Sequence, residues 1–230
     1  KAFDSLVGPF AFLDVRHGPE HDIATRAGVQ RAMILLLRVA SGGHLHFGTP
    51  CKSWVVLSRS FTKRSSYQPQ GPNKSHCTKK QWAYLQLHNR IAEISSYLMK
   101  LASLLGHTVT LEQPVSSLLF SFGPMVAALK DGISAPFHMG AFGGESPKPL
   151  KLVGTAAWLT VFRAVYLARK NAAAKPGGRL TKRSAGGHFT GKKAELEESS
   201  GYTRCFGVCM ALCHLGWSAD AISAELSRLG

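Results

Sequence analysis

Two strand-length apolar runs, each ending at a proline beside a reactive side chain, restrict this chain to an α/β architecture more than any other feature. The first is His44-Leu45-His46-Phe47-Gly48-Thr49-Pro50-Cys51, and the second is Thr108-Val109-Thr110-Leu111-Glu112-Gln113-Pro114. Proline ends a ladder because it has no N–H to donate, so each run reads as a buried strand with a defined stop. In an open α/β sheet, ligands bind just beyond the carboxyl ends of the strands. A thiol and a carboxylate delivered to that edge can face one substrate.

The flanking sequence fits the same plan. Phe10 to Val15 reads as a strand ending at Asp14. A helix from about Thr25 to Ala40 follows, with Val29, Met33, Leu36 and Leu37 at helical spacing, and Ser41-Gly42-Gly43 closes it before the cysteine strand. Strand, helix, strand within so short a span implies a parallel βαβ unit. A long basic loop, Arg59 to Lys80, leads to a long helix from about Lys79 to Leu105 whose apolar positions are Trp82, Leu85, Ile91, Ile94, Leu98 and Leu101; Gly106 ends it. Beyond the glutamate strand the pattern predicts short helices at Ser116 to Phe122 and Pro124 to Lys130, then strands at Ala135 to Met139 and Leu150 to Gly154. A helix from Trp158 to Arg169 follows, then a glycine-rich basic linker from Lys170 to Lys193, and helices at Arg204 to Leu215 and Asp220 to Leu229.

Composition narrows the partners. Lys plus Arg number 28 against 13 Asp plus Glu, a formal charge of +15 over 230 residues. A surplus of that size favours a polyanion, nucleic acid first. No apolar run approaches the ~18 residues that cross a bilayer, so a membrane is not an expected partner. Five cysteines without framework spacing suit a reducing compartment, nuclear or cytoplasmic.

Cys51 is followed by Lys52 and by a stretch, Ser53 to Leu57, that could open a helix; both features lower a thiol's pKa. It reads equally as a small apolar residue closing a strand. Glu112 closes an apolar run, where a carboxylate must be paired or protonated; the other reading is a structural cap on the following turn. Together they suit cytosine, whose carbon 5 becomes reactive once a nucleophile adds at carbon 6, and which must leave the stack to be reached. Arg59, Lys63 and Arg64, with Phe61 and Tyr67, form the best phosphate-and-stacking patch. Cys205, Cys209 and Cys213 share one helix face but lack zinc-ribbon spacing, so no metal is implied.

The ordered segments resemble the C5-cytosine DNA methyltransferase family, including its divergent protist-type members. Gly48-Thr49-Pro50-Cys51 resembles the Pro-Cys motif that carries the nucleophile, and Leu111-Glu112-Gln113-Pro114 resembles the Glu-Asn-Val motif whose glutamate holds the flipped base. Asp14 resembles the acid on the ribose of S-adenosylmethionine, and Asp22, in His21-Asp22-Ile23, the aspartate on its adenine. Gly140 to Gly144 and Pro147 to Gly154 stand where the family has a Tyr-Gly-Val-Pro-Gln-x-Arg-x-Arg motif, with Lys148 and Lys151 in place of the two arginines. Ser199 to Gly207, including Tyr202, resembles the last motif, which returns to the cofactor.

The resemblance implies a Rossmann-like, doubly wound, mostly parallel sheet of the S-adenosylmethionine-dependent methyltransferase type. Its first strand and Phe-x-Gly-x-Gly loop are missing from the sequence, as in an N-terminally truncated member. A catalytic domain would span 1–169, a basic linker or reduced target-recognition segment 170–198, and returning helices 199–230. Cys51 and Glu112 would be catalytic, and Asp14, Asp22, Pro50 and Tyr202 would hold the cofactor. Arg59, Lys63, Arg64, Lys148, Lys151, Lys182 and Arg183 would contact DNA, with RNA the other nucleic acid the charge would suit. The expected activity is S-adenosylmethionine-dependent methyl transfer to carbon 5 of cytosine through a covalent cysteine adduct. The alternative is an inactive relative that binds nucleic acid, as part of a mobile-element protein.

Overall fold

Thr25 starts the first helix, α1 (Arg26–Leu37), by accepting the Gly28 N–H on its side-chain oxygen at 3.0 Å. After a turn in which Gly42 takes φ +72°, the chain enters β1 (His44–Phe47). A one-turn helix, α2 (Arg59–Thr62), precedes the longest one, α3 (Lys79–Leu104). α3 opens with a full capping box, Thr78 and Gln81 each accepting the other's backbone N–H. It ends where Gly106 adopts φ +80°, the Gly106 N–H bonding Ser103 O and the His107 N–H bonding Ala102 O. That six-to-one and five-to-two pair is the Schellman closure, and it delivers the chain directly into β2 (Thr108–Pro114).

The structure, a computed structural model, describes residues 11–144, 148–170, 181–183, 189–191 and 202–229, the two three-residue strands by backbone alone. After β2 come α4 (Gly123–Ala128), β3 (Ile133–His138) and β4 (Pro149–Gly154), then α5 (Leu159–Arg169). β5 (Thr181–Arg183) and β6 (Phe189–Gly191) pair antiparallel, and α6 (Arg204–His214) and α7 (Ala219–Leu229) close the described chain. The main sheet has four strands in the order β1-β2-β4-β3. β1 and β2 are parallel, in register from His44 opposite Thr108 to Phe47 opposite Leu111. Only residues 139–148 join β3 to β4, fewer than a parallel crossover requires.

This is an α/β fold with a mixed sheet, not the doubly wound, mostly parallel sheet expected. The strand expected from Phe10 to Val15 is part of the reason. Residues 11–14 are irregular and Val15–His17 is a 3-10 turn. Phe12 and Val15 are more than half exposed, too little buried to anchor a strand in a sheet. Asp14 also accepts the Arg16 N–H at 2.9 Å, a local bond that competes with a ladder. The parallel crossover unit is therefore β1-α3-β2.

Contacts divide the chain into two compact units. One comprises Ala11–Ile133 with Val153–Ala156; the other comprises Ser134–Leu152 and the chain from Ala157 onward. In the first unit, Leu45, Phe47, Val109 and Leu111 present one face of the β1–β2 pair to Leu36, Trp54, Leu98, Met99, Leu119, Phe122 and Met125. Gly154 passes so close to β2 that a Cβ would meet Val109 O at 1.9 Å. The second unit centres on Phe137, Phe142, Phe162 and Phe206, all buried, with neighbouring ring centroids 5.3–5.9 Å apart. Part of the expected linker is the β5–β6 ladder; most of the remainder lies outside the described residues.

Candidate active site

Continuing the β1–β2 register by one residue sets Gly48 opposite Glu112, so both strands end at the same edge. Gly48 and Pro50 are exposed there, Cys51 is half-buried and outside any disulfide, and Glu112 is buried. Gln113 ties the two ends together. Its side-chain amide donates to Thr49 O, while its carbonyl oxygen accepts the Ser117 hydroxyl at 3.0 Å. The Thr49 hydroxyl donates to Ser95 Oγ of α3 at 3.3 Å. Where the resembled motif has asparagine, the longer glutamine reaches across to the neighbouring strand.

Beyond Cys51 the chain turns at once, the Trp54 N–H bonding Cys51 O at 2.8 Å. Trp54 is wholly buried, and its carbonyl accepts the Leu118 N–H at 2.9 Å. The expected helix from Ser53 does not form. A turn and a 3-10 segment, Val56–Ser58, precede α2, so no helix N-terminus meets the thiol.

Arg64 corrects another expectation. Placed by composition on a solvated, phosphate-facing loop, it is 3% exposed. Its guanidinium lies 3.7 Å over the Trp54 ring, a cation–π contact that lets a charged loop residue fold inward. Nε donates to Ser53 Oγ at 3.0 Å, and Nη1 to Asn89 Oδ1 at 2.9 Å and to Pro69 O. Burial draws its pKa down to about 10, against the opposing influence of Tyr84. Two α3 residues not singled out from the sequence complete the cluster. Tyr84 lies against His88 with ring centroids 4.4 Å apart and the rings tilted by 55°, and it is within electrostatic reach of Arg64 and Cys51. His88 is 2% exposed and pushed down to about 4 by burial first, then by Lys52 and Arg64. The available signal was spacing: Leu85, His88, Ala92, Ser95, Met99 and Ala102 form one buried stripe, with polar residues in it.

On the other face of the strand pair, His44, His46, Thr108 and Thr110 form a ladder. His44 Nδ1 lies 2.9 Å from the Thr108 hydroxyl and Nε2 3.0 Å from that of Thr110, which also meets His46 Nδ1 at 2.9 Å. A neutral imidazole offers one donor and one acceptor, so the hydrogens run head to tail along this chain. Burial holds His46 at about 4.

Of the residues expected to hold a cofactor, Asp14 and Asp22 make local hydrogen bonds. Asp14 pairs with Arg16, whose hydrogen bonds hold the carboxyl at about 2. Asp22 Oδ1 accepts the Ala24 N–H at 2.9 Å and its carbonyl the Thr25 hydroxyl at 2.8 Å. Neither aspartate presents an open cradle to S-adenosylmethionine. Lys63 is exposed at the end of α2, near Tyr67, which is 97% exposed; Arg59 is half-buried. Lys148, Lys151 and Tyr202 belong to the other unit. There burial lowers the Lys151 pKa, and Tyr202 lies 5.1 Å from Phe206. Lys182 and Arg183 stand on β5.

No known protein family, curated protein or solved structure matches the chain. None of the described helices is long and apolar enough to cross a membrane.

Proposed function

We propose that this protein methylates carbon 5 of cytosine in DNA, with Cys51 as the nucleophile and Glu112 as the residue that holds the base. The observation that carries the reading is the β1–β2 register, which ends both strands at the same edge, with Glu112 one residue beyond the last pair and Cys51 four residues beyond β1. Addition of the Cys51 thiolate at carbon 6 forms an S–C bond and breaks the 5,6 double bond. A protonated Glu112 at ring nitrogen 3 accommodates the charge, and carbon 5 becomes nucleophilic. S-adenosylmethionine would supply the methyl group; loss of the carbon 5 proton to water and expulsion of the Cys51 thiolate would then restore the 5,6 double bond. Asp14 and Asp22 do not fit that cofactor as they stand, so the chemistry these residues define is that of Cys51 and Glu112 alone. The Rossmann-like methyltransferase fold, and nuclear or cytoplasmic residence, belong to the same proposal.

The second reading, a relative that binds nucleic acid without catalysis, is favoured by the Asp14–Arg16 pair. Exposed Lys63 and Lys74, on the same loop as exposed Tyr67, and exposed Lys79 and Lys80 at the start of α3 supply charge and a stacking face to either function. Incubation of the protein with DNA and radiolabelled S-adenosylmethionine separates the two. Label in DNA from wild type but not from Cys51→Ala supports methyl transfer; equal, background label with retained DNA binding supports the second.

A further inference from the structure

A buried cation needs a counter-charge, and Arg64 has none. Among the described residues it makes no ion pair, and its three acceptors are a hydroxyl, an amide oxygen and a backbone carbonyl. Its Nη2 is buried without a hydrogen-bond partner, as are both ring nitrogens of His88 and Nε1 of Trp54. Lys52 adds a second positive charge close enough to act on His88. Leaving an unpaired charge and several orphaned polar atoms in one place destabilises a fold. Such groups call for an explanation in function or in an anion they await.

The cluster surrounds the turn that carries the thiol. Arg64 Nε is bonded to Ser53, two residues after Cys51 and inside the turn closed by the Trp54-to-Cys51 bond. From α3, Tyr84 meets the fields of both Arg64 and Cys51.

We propose that Arg64, assisted by Lys52, is a positioning residue whose carboxylate-free guanidinium is buried beside the Cys51 turn to hold that thiol in its ionised form. On ionisation the S–H bond breaks, the sulfur keeps the electron pair and the proton passes to water. His88, neutral down to about pH 4, does not retain it. The charged and titratable groups tied to the thiol's turn are Lys52, next in the chain, Arg64 through Ser53, and Tyr84 and His88 from α3, with Glu112 at the end of the neighbouring strand. Glu112 would oppose the thiolate only when ionised, and the proposed reaction uses it protonated. The inference rests on Cys51 being the nucleophile of the proposed reaction, yet its test needs neither DNA nor methyl donor and so fails or succeeds separately.

The test is the pH profile of Cys51 alkylation by iodoacetamide in the full chain, followed by peptide-resolved mass spectrometry. Half-buried Cys77 and Cys205 serve as internal controls. An ordinary thiol has its midpoint at about 8.5. The wild-type Cys51 midpoint is expected at least about one unit lower, as an opposite charge within a few ångströms produces. Arg64→Gln raises it by about one unit, Arg64→Lys restores part of the shift, and Lys52→Gln gives a smaller rise, while the control cysteines stay put. A role confined to packing would change the unfolding temperature without moving the midpoint. A wild-type midpoint at or above about 8.5, or an unchanged midpoint in folded Arg64→Gln, overturns the inference. Should Arg64→Gln fail to fold, the wild-type midpoint and the exposed-site variant Lys52→Gln decide it, and no rise in the latter counts against it.

Discussion

The interior of the second unit and the interior behind the ends of β1 and β2 are made of opposite materials. Phe137, Phe142, Phe162 and Phe206 stack edge to face and face to face without a polar atom among their rings. Behind the strand ends, Arg64, His88, Asn89, Ser95, Glu112 and Gln113 are buried together. Aromatic packing stabilises whatever the protein does. Burying a guanidinium, an orphaned imidazole and a carboxylate costs stability, and a fold retains such a cluster where it serves chemistry. The contrast marks the strand ends as the place to look for function.

The contrast can be broken most easily at the aromatic core. Phe162→Ala is expected to cost about 3–5 kcal/mol, read by chemical denaturation; a loss under about 1 kcal/mol would mean that the rings do not support that unit. Acid should act in the other region. His46 and His88 are both held near 4, below the ordinary 6.5. A depressed histidine contributes its full share of stability above the unfolded pKa and loses it as pH falls. Stability should therefore decline between about pH 6.5 and pH 4, by at most about 3 kcal/mol for His46. Thr110→Val, which strips a hydroxyl from two imidazoles, is expected to cost about 1–3 kcal/mol and to change that acid profile, which Phe162→Ala should not. The smallest effect belongs to a helix end: Thr78→Ala removes half of the α3 capping box, for about 1 kcal/mol, measurable as a small drop in unfolding temperature.

Elements with strong local rules were legible before any coordinates. α3 was placed by its apolar spacing and by Gly106, and β2 by a run of β-formers stopped at Pro114; both formed within a residue or so of expectation. The region before Thr25 was not, because an apolar run becomes a strand only if something covers it, and Phe12 and Val15 lie open. The site divides in the same way. Cys51 and Glu112 were visible as strand-end side chains. Arg64 was misplaced because a loop rich in lysine, serine and proline reads as solvated, while its burial depends on Trp54, ten residues earlier, taking the guanidinium on its ring. His88 escaped because the apolar spacing that defines α3 counts only apolar residues, and the buried face also carries His88, Asn89, Ser95 and Ser96.

Hydrogen exchange at carbon 5 of cytosine tests the reaction centre at the β1–β2 edge most directly. Adding a thiolate at carbon 6 lets carbon 5 take a proton from water; elimination then releases the original hydrogen without any methyl donor. DNA tritiated at carbon 5 should lose its label to water with the wild-type protein, and at background rate with Cys51→Ala or Glu112→Gln. Release by wild type no faster than by Cys51→Ala would contradict the assignment of Cys51 and Glu112 as a reacting pair.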